Sequence, residues 1–329
     1  MICYIVSLQN VLCVNYLDDF GGADVPSRAH HSFRALSDTL HRVGVQENVK
    51  KASEPSPIMV FLGVLLDSDR LELRITPERL EEIRSLLSRW MKKRSASKRD
   101  LQSLLGKLQF IGKCVKPSRV FISRILVLLR GLKNNDQKVK LGNEFRKDIK
   151  WWISFVHIYN GVSMMKTSQW STVDQVFSSD ACLSGCGAIN QCGEFFHKTF
   201  PKCVLEACSN IAQFECISVV VALKLWSVKW QGLKISIFCD NQAVCSVLNS
   251  GRTKDPILQK CLREVAYLAC SREFELRAVH LSSASNRLAD LLSRWHLDRS
   301  YAELFAHEAL LNGYTEINVD DSMFILEND

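Results

Sequence analysis

The sequence predicts a multi-domain α/β chain: a β-rich opening, a helical middle, and a C-terminal mixed β-sheet with flanking helices. The apolar period sets this expectation, because it turns from strand-like to helical near Thr76 and to alternating strands and helices near residue 170. Size agrees, since 329 residues suggest two or three domains. Composition agrees too, because 47% hydrophobic residues can fill real cores and exclude a disordered chain.

Residues 1–75 read as strands around one helix. The opening "MICYIVSL" is apolar but short, lacks a basic leader and soon meets Gln9, Asn10 and Asn15, so it reads as a strand and not a signal peptide. "VLCVNYLDDF" is strand and turn. "SRAHHSFRALSDTLHRVG" is a helix opened by Pro26-Ser27 and closed by Gly44. "IMVFLGVLLDS" is β-rich around Gly63, and "RLELRI" is its partner strand.

From Thr76-Pro77 a helix carries Leu80, Ile83, Leu87 and Trp90 at helical spacing. Ser97 caps a second, through Leu101, Leu104, Leu105, Leu108 and Ile111. Pro117 opens a third that stops at Gly131, and a fourth covers 141–159. Beyond residue 170, "QVFSSDACLSGCGAI" gives two strands and "GEFFHKTF" a third, followed by one long helix over 205–230. "LKISIFCD" is a strand, "NQAVCSVLNSG" and "DPILQKCLREVAYLACSR" are helices, "FELRAVHL" is a strand, and "NRLADLLSRW" is a last helix capped by Ser285. The order is β-β-β-α-β-α-α-β-α, without internal repeats.

The 13 cysteines are odd in number and scattered, unlike a secreted disulfide framework, so an intracellular setting in cytoplasm or nucleus is expected. Cys182, Cys186 and Cys192 lie close together without a CxxC pair, which argues against zinc. No apolar run reads as long enough to cross a membrane. The net charge of +7 is uneven: residues 91–150 hold 17 Lys and Arg against 4 Asp and Glu, while 298–329 hold 1 Arg against 8 acids. The basic block contains Lys92, Lys93, Arg94, Lys98, Arg99, Lys107 and Lys113. It suits a polyanion, and a solvated helical face is the plain alternative.

Two sets of acids carry chemistry. Asp18 and Asp19 stand side by side in "NYLDDFGGAD". Ordinary turn chemistry accounts for them, yet adjacent carboxylates between strands also suit Mg²⁺ in a two-metal phosphoryl-transfer centre. In the second set Asp180 lies in the first strand after residue 170, and Asp240 ends the fourth, at the edge where α/β sites gather. Glu215 shares a helix face with Ile211, Ala212, Ser218 and Val219, where an unpaired charge is costly. Asp290 lies in the first turn of the last helix, where a carboxylate also complements the helix dipole. Together the four could bind two divalent cations.

This spacing, with "SSDACLSGCGA", "FCDNQA" and "HLSSASNRLADLLSRW", resembles the ribonuclease H domain of retroelements. The resemblance implies two Mg²⁺ ions, or Mn²⁺, held by Asp180, Glu215, Asp240 and Asp290, and cleavage of the RNA strand of RNA/DNA hybrids. It implies a nucleic-acid contact at Asn286 and a catalytic His at His280, unless His280 simply ends its strand. "YLDDF" resembles the Y-x-D-D hairpin of reverse transcriptases, which makes Asp18 and Asp19 metal-binding catalytic acids. "FLGVLLD" resembles the primer-grip hairpin, placing Phe61, Leu62 and Gly63 against a primer, and Lys51 matches the Lys that acts on leaving pyrophosphate. The helices of 76–160, with "RDLQSLLGKLQF" and "RKDIKWWISF", resemble the thumb and connection of DIRS-like or Ngaro-like retrotransposons.

The expected organisation is a partial reverse-transcriptase palm over 1–75, a helical thumb and connection over 76–165, a ribonuclease H-like domain over 170–297 and an acidic tail over 298–329. Only about fifteen residues precede "YLDDF", so the fingers and the first palm half are expected to be missing and polymerisation lost. The expected activity is metal-dependent hydrolysis of RNA in hybrids, with an RNA/DNA hybrid or primer–template as partner and no membrane. The rival is a non-catalytic, pseudogene-like or host-retained fragment that binds nucleic acid. A cellular nuclease is a third alternative, which the joined "YLDDF" and "FLG" motifs disfavour.

Overall fold

The computed structural model describes residues 1–48, 50–112, 114, 120–158, 162–163 and 173–326. Along the chain run α1 (Ile2–Ser7), β1 (Cys13–Tyr16), β2 (Asp19–Gly22), α2 (Ala29–Arg42), β3 (Ile58–Phe61), β4 (Val64–Asp67), β5 (Glu72–Ile75) and α3 (Pro77–Lys92). Next come β6 (Ser95–Ser97), α4 (Lys98–Ile111), α5 (Ser123–Arg130), β7 (Lys138–Lys140), α6 (Asn143–Ile158) and β8 (Val162–Ser163). Then follow β9 (Gln175–Ala181), β10 (Gly185–Asn190), β11 (Glu194–Thr199), α7 (Lys202–Ala207), α8 (Ile211–Trp226) and β12 (Lys234–Cys239). The last are α9 (Gln242–Ser250), α10 (Pro256–Ser271), β13 (Glu275–His280), α11 (Arg287–Ser293), α12 (Arg299–Asn312) and β14 (Thr315–Glu316). The chain divides into two compact units: Met1–Leu86 with Lys113–Val115 and Val156–Lys166, and Leu87–Gly112 with Lys116–Phe155 and Thr167–Asp329.

In the first unit β1 and β2 form a hairpin in which Tyr16 pairs with Asp19 across Leu17-Asp18. The four-stranded sheet runs β3-β4-β5-β8. Leu62 and Gly63 turn β3 into β4 with φ of 51° and 75°, as a two-residue hairpin turn requires. The opening segment is helix and not the expected strand. Its β-branched residues favour extended backbone, but tertiary packing overrides them: Val6 is fully buried, in a small cluster with Val11 and Ala35 of α2.

The second unit holds a six-stranded mixed sheet, ordered β13-β12-β9-β10-β11-β14. From β9 to α11 its element order matches the expected one except that the long helix over 205–230 is two helices, and α12 and β14 are added beyond it. Asn210 breaks it, its side chain accepting the Gln213 amide to start α8 afresh. The segment Ile211–Lys229, 19 residues at mean hydropathy 1.6, is long and apolar enough to cross a membrane, contrary to the sequence expectation. Its apolarity has a local cause, because from Gln213 to Leu223 every residue of α8 is buried within the core.

Two further parts pack into this unit. Ser97 caps α4 in a reciprocal box with Asp100, as expected. The helical region reaches the sheet's helices through a buried ion cluster, where Asp148 of α6 lies 2.9 Å from Arg124 of α5 and 3.3 Å from Arg263 of α10. At the other end, residues 298–326 of the acidic segment are folded. Phe305 of α12 is fully buried with Ile189, Phe195, Leu291 and Leu292, and β14 pairs in parallel with β11. Glu316 and Asp321 pair with His197 and Lys198 at 3.2 and 3.3 Å.

Candidate functional site

Strand register brings the first two acids together. β9 and β12 are parallel, with Phe238 opposite Ser178. Continuing that register by two residues sets Asp240 level with Asp180. On the other side of β9, Gly187 of β10 faces Asp180. Cys186 and Ala188 join the core that contains α8. The pleat therefore turns Gly185, Gly187 and the Asp180 side chain to the opposite face, which α11 covers. A Cβ at Gly187 would lie 2.3 Å from that of Leu292, so only glycine lets α11 settle this close to the strand.

α11 contributes Asp290, whose backbone carbonyl accepts from the Ser293 hydroxyl at 2.9 Å. α8 contributes Glu215 from the other face. One turn on, the Ser218 hydroxyl donates to the Asp180 carbonyl at 3.0 Å and accepts from the Ser179 hydroxyl at 2.7 Å. The acids thus gather at the strand ends from both faces of the sheet. Burial pushes the Asp180 carboxyl up to about 7, with repulsion from Asp240 and Asp290 adding to it and the neighbouring Ser293 hydroxyl and Arg294 charge opposing. Burial likewise pushes Glu215 up to about 9, reinforced by Asp180 and Asp240.

Glu215, Cys239 and Asp240 each place one ligand atom within 4.8 Å of the others, a group that could hold a metal ion. The two carboxylates of this group suit a hard divalent cation, whereas the Cys239 thiol is a soft donor, and Asp180 and Asp290 lie outside the group. The Cys239 thiol meanwhile donates to Glu215 Oε2 at 3.3 Å. Ser283 donates to Asp240 Oδ2 at 2.7 Å. Asp290 is paired with Arg294 at 2.6 Å.

Cys239, Ser283, Ser293 and Arg294 are neighbours that the sequence reading missed. For Arg294 a signal was present, since it follows Asp290 at the helical spacing of four. His280 ends β13, exposed, its Nε2 3.1 Å from the Asp240 carbonyl. Asn286, expected to touch nucleic acid, is only 2% exposed, and its amide donates to the Ser179 carbonyl at 3.1 Å. It braces the strand beside Asp180 from beneath. Ser285 does not cap α11 either, because its hydroxyl bonds that of Ser282 at 2.8 Å.

In the first unit Asp18 and Asp19 are exposed at the hairpin tip, with Leu17 at φ 54°. Among the described residues no third His, Cys, Asp or Glu completes a metal-holding group with them. The two hairpins touch: a Cβ on Gly21 would meet the Phe61 ring at 2.9 Å. Leu62 and Gly63 form the second tip, and Lys51 is exposed after α2.

The basic block divides by partner. Lys92, Arg94 and Arg99 are exposed, and Lys107 is half-buried. Lys93 pairs with Asp100 at 2.8 Å and lies 4.7 Å over the Trp90 ring. Lys98 donates to the Lys133 carbonyl at 3.1 Å. Lys113 lies outside the described residues, as does Pro117.

No protein-family model matches the chain, and no curated protein matches it. Among solved structures, it is similar to a foamy viral protease–reverse transcriptase in complex with double-stranded DNA, at 14% identity and TM-score 0.42, covering 85% of this chain and 47% of that one. The foamy viral protease–reverse transcriptase with an RNA/DNA hybrid gives 15% identity and TM-score 0.42, covering 84% and 37%. Ribonuclease H1 of the halophilic archaeon Halobacterium salinarum gives 19% identity and TM-score 0.31, covering 38% of this chain and 96% of that one. The chain therefore spans about half or less of the length of these two foamy viral structures.

Proposed function

We propose that the second unit is a divalent-metal-dependent nuclease that cuts the RNA strand of RNA/DNA hybrids. The chain as a whole is then a derivative of the reverse transcriptase/ribonuclease H region of a DIRS-like or Ngaro-like retrotransposon, working inside the cell. The meeting of Asp180, Glu215, Asp240 and Asp290 at the ends of β9 and β12 carries this proposal, two of the acids being buried and pushed towards neutrality.

These four carboxylates would hold two Mg²⁺ ions, which when bound activate water and stabilise the leaving oxygen of the scissile phosphate. Ser283 orients the Asp240 carboxylate, and Asn286 fixes the backbone beside Asp180. Lys92, Arg94 and Arg99 are free to meet phosphates, as suits a protein that follows a hybrid by backbone and 2′-OH contacts. The first unit retains a palm-like hairpin without synthetic activity, because Asp18 and Asp19 lack a third acid among the described residues.

The test is cleavage of a labelled RNA strand in an RNA/DNA hybrid by the full chain, with and without Mg²⁺. Single-stranded RNA and a DNA duplex serve as controls. Hybrid cutting that needs Mg²⁺ and disappears in Asp240→Asn supports the proposal. A folded chain that binds the hybrid and leaves it intact supports the non-catalytic alternative.

A further inference from the structure

Cys239 puts a soft donor among hard ones. It ends β12 fully buried, its Sγ 3.3 Å from Glu215 Oε2, and Asp240 follows it in the chain. One ligand atom from each of the three lies within 4.8 Å of the other two. A tetrahedral ion with zinc's bond lengths to sulfur and oxygen holds two such ligands about 3.6 Å apart. The sulfur and the Glu215 oxygen already stand near that spacing. A second contact marks the sulfur as a ligand. The Asn241 amide donates to Cys239 Sγ at 3.4 Å, the kind of outer bond that orients a metal ligand. Asn241 is itself fixed, because its side chain caps α9 by accepting the Ala243 and Val244 amides at 3.0 and 3.2 Å. The sulfur thus lies at the start of a helix, where negative charge is favoured.

We propose that Glu215, Cys239 and Asp240 form a three-ligand site for one thiophilic divalent ion, Zn²⁺ in kind, and that this ion competes with Mg²⁺. Carboxylate oxygens alone suit Mg²⁺, but a thiolate selects the softer ion. Binding sends the thiol proton to solvent, since a coordinating thiol is deprotonated. Asp240 is only partly buried and gives the ion a way in. Asp180 and Asp290 lie outside this group. The softer ion therefore draws Glu215 and Asp240 out of the four-carboxylate set that two Mg²⁺ ions need. The site rests on the nuclease reading above only for this rivalry between ions.

The experiment titrates the full chain with Cd²⁺, a thiophilic probe whose bond to a thiolate gives an ultraviolet charge-transfer band. Cys3 and Cys13 are changed to Ser in every sample, because their sulfurs lie 3.8 Å apart and would take up the probe as well. The parent should show a saturable band, and Cys239→Ser should lose the share that belongs to one thiolate. Glu215→Gln and Asp240→Asn keep the sulfur and should weaken Cd²⁺ binding at least about tenfold, since losing even an outer partner costs that much. Excess Mg²⁺ should move the titration midpoint to higher Cd²⁺. A folded Cys239→Ser chain with the parent's full band overturns the site. If that variant does not fold, parental Cd²⁺ affinity in both carboxylate variants overturns it instead. A Cys239-dependent band that ignores Mg²⁺, in a chain whose hybrid cleavage needs Mg²⁺, overturns the competition. The same band in a chain that never cuts the hybrid sinks the nuclease reading and leaves this site standing.

Discussion

Gly187 stands directly across the β9–β10 pair from Asp180, and the space its missing side chain leaves is taken by Leu292 of α11. The helix that carries Asp290 is thus seated by a residue defined by having no side chain. Gly187→Ala should force α11 outward and destabilise the second unit by about 1–3 kcal/mol, the usual cost of overpacking. Cleavage should fall further than stability explains, because Asp290 moves with the helix. Urea denaturation and the hybrid assay read the two effects. A variant of parental stability would mean that α11 is not pressed onto the strand.

The raised carboxyls give a pH dependence with a definite sign. Folded Asp180 keeps its proton up to about 7 and Glu215 up to about 9, against ordinary values of 3.8 and 4.5. Between those limits the folded chain binds protons that the unfolded chain has released, so metal-free stability falls as pH rises through the window. The melting temperature without metal should be lower near pH 8 than near pH 5. Added Mg²⁺ should reduce that loss by binding the folded state. Asp180→Asn should flatten the lower part of the slope and raise metal-free stability near neutral pH, while abolishing cleavage. Equal slopes in parent and variant would remove Asp180 as a source.

Much of this was legible because local signals and global packing agree. The four acids, the Ser97 cap and the Leu62-Gly63 turn each have a sequence signature that the fold uses. The misses have physical reasons. The first segment carries strand-forming residues, yet one buried Val6 settles it as helix. The break at Asn210 hides inside a continuous helical pattern. The 298–329 segment reads as an acidic tail when charges are summed, but sparse anchors at Phe305, Val319 and Phe324 fold its described part, residues 298–326. Asn286 and Cys239 were not resolved as buried supports, because only the three-dimensional register brings them to Ser179 and Glu215.

Asp18 and Asp19 give a prediction of absence. A two-metal centre needs carboxylates from more than one strand, and the described neighbours supply no third ligand here. Primer extension on a primed RNA template should be undetectable. Synthesis that disappears in Asp18→Asn would show that the hairpin is a working polymerase site.

The basic block can now be tested with better-chosen residues. Lys93 and Lys98 already have partners within the chain, whereas Lys92, Arg94 and Arg99 are exposed. If these three meet phosphates, changing them to Ala should lower the slope of log affinity against log salt by roughly 2–3, close to one per contact. Fluorescence anisotropy with a labelled hybrid measures that slope. If it stays as in the parent, the block is a solvated face and the hybrid is held elsewhere.

Asp148 and Arg263 test whether the helical region is part of one body with the six-stranded sheet or a separate connection. The two side chains are 0% and 2% exposed and 3.3 Å apart, with Arg124 on the same carboxylate. Burial pushes the Asp148 carboxyl up to about 6 even against both guanidinium groups, which shows how dry the joint is. Asp148→Ala removes the carboxylate facing a buried guanidinium, and should cost about 3–5 kcal/mol. Replacing both partners, as Asp148→Leu with Arg263→Met, should recover much of that loss, because a buried pair exchanged for apolar side chains of similar volume is often nearly neutral. Since Asp148 lies on α6 and Arg263 on α10, the destabilisation should appear in the same cooperative transition that reports the sheet. A fragment of residues 170–297 alone should then fold poorly, lacking both this joint and the α12 anchor. If Asp148→Ala melts the helices while leaving the sheet's transition in place, the two parts are independent, and the proposed hybrid cleavage should be tested in the shorter fragment.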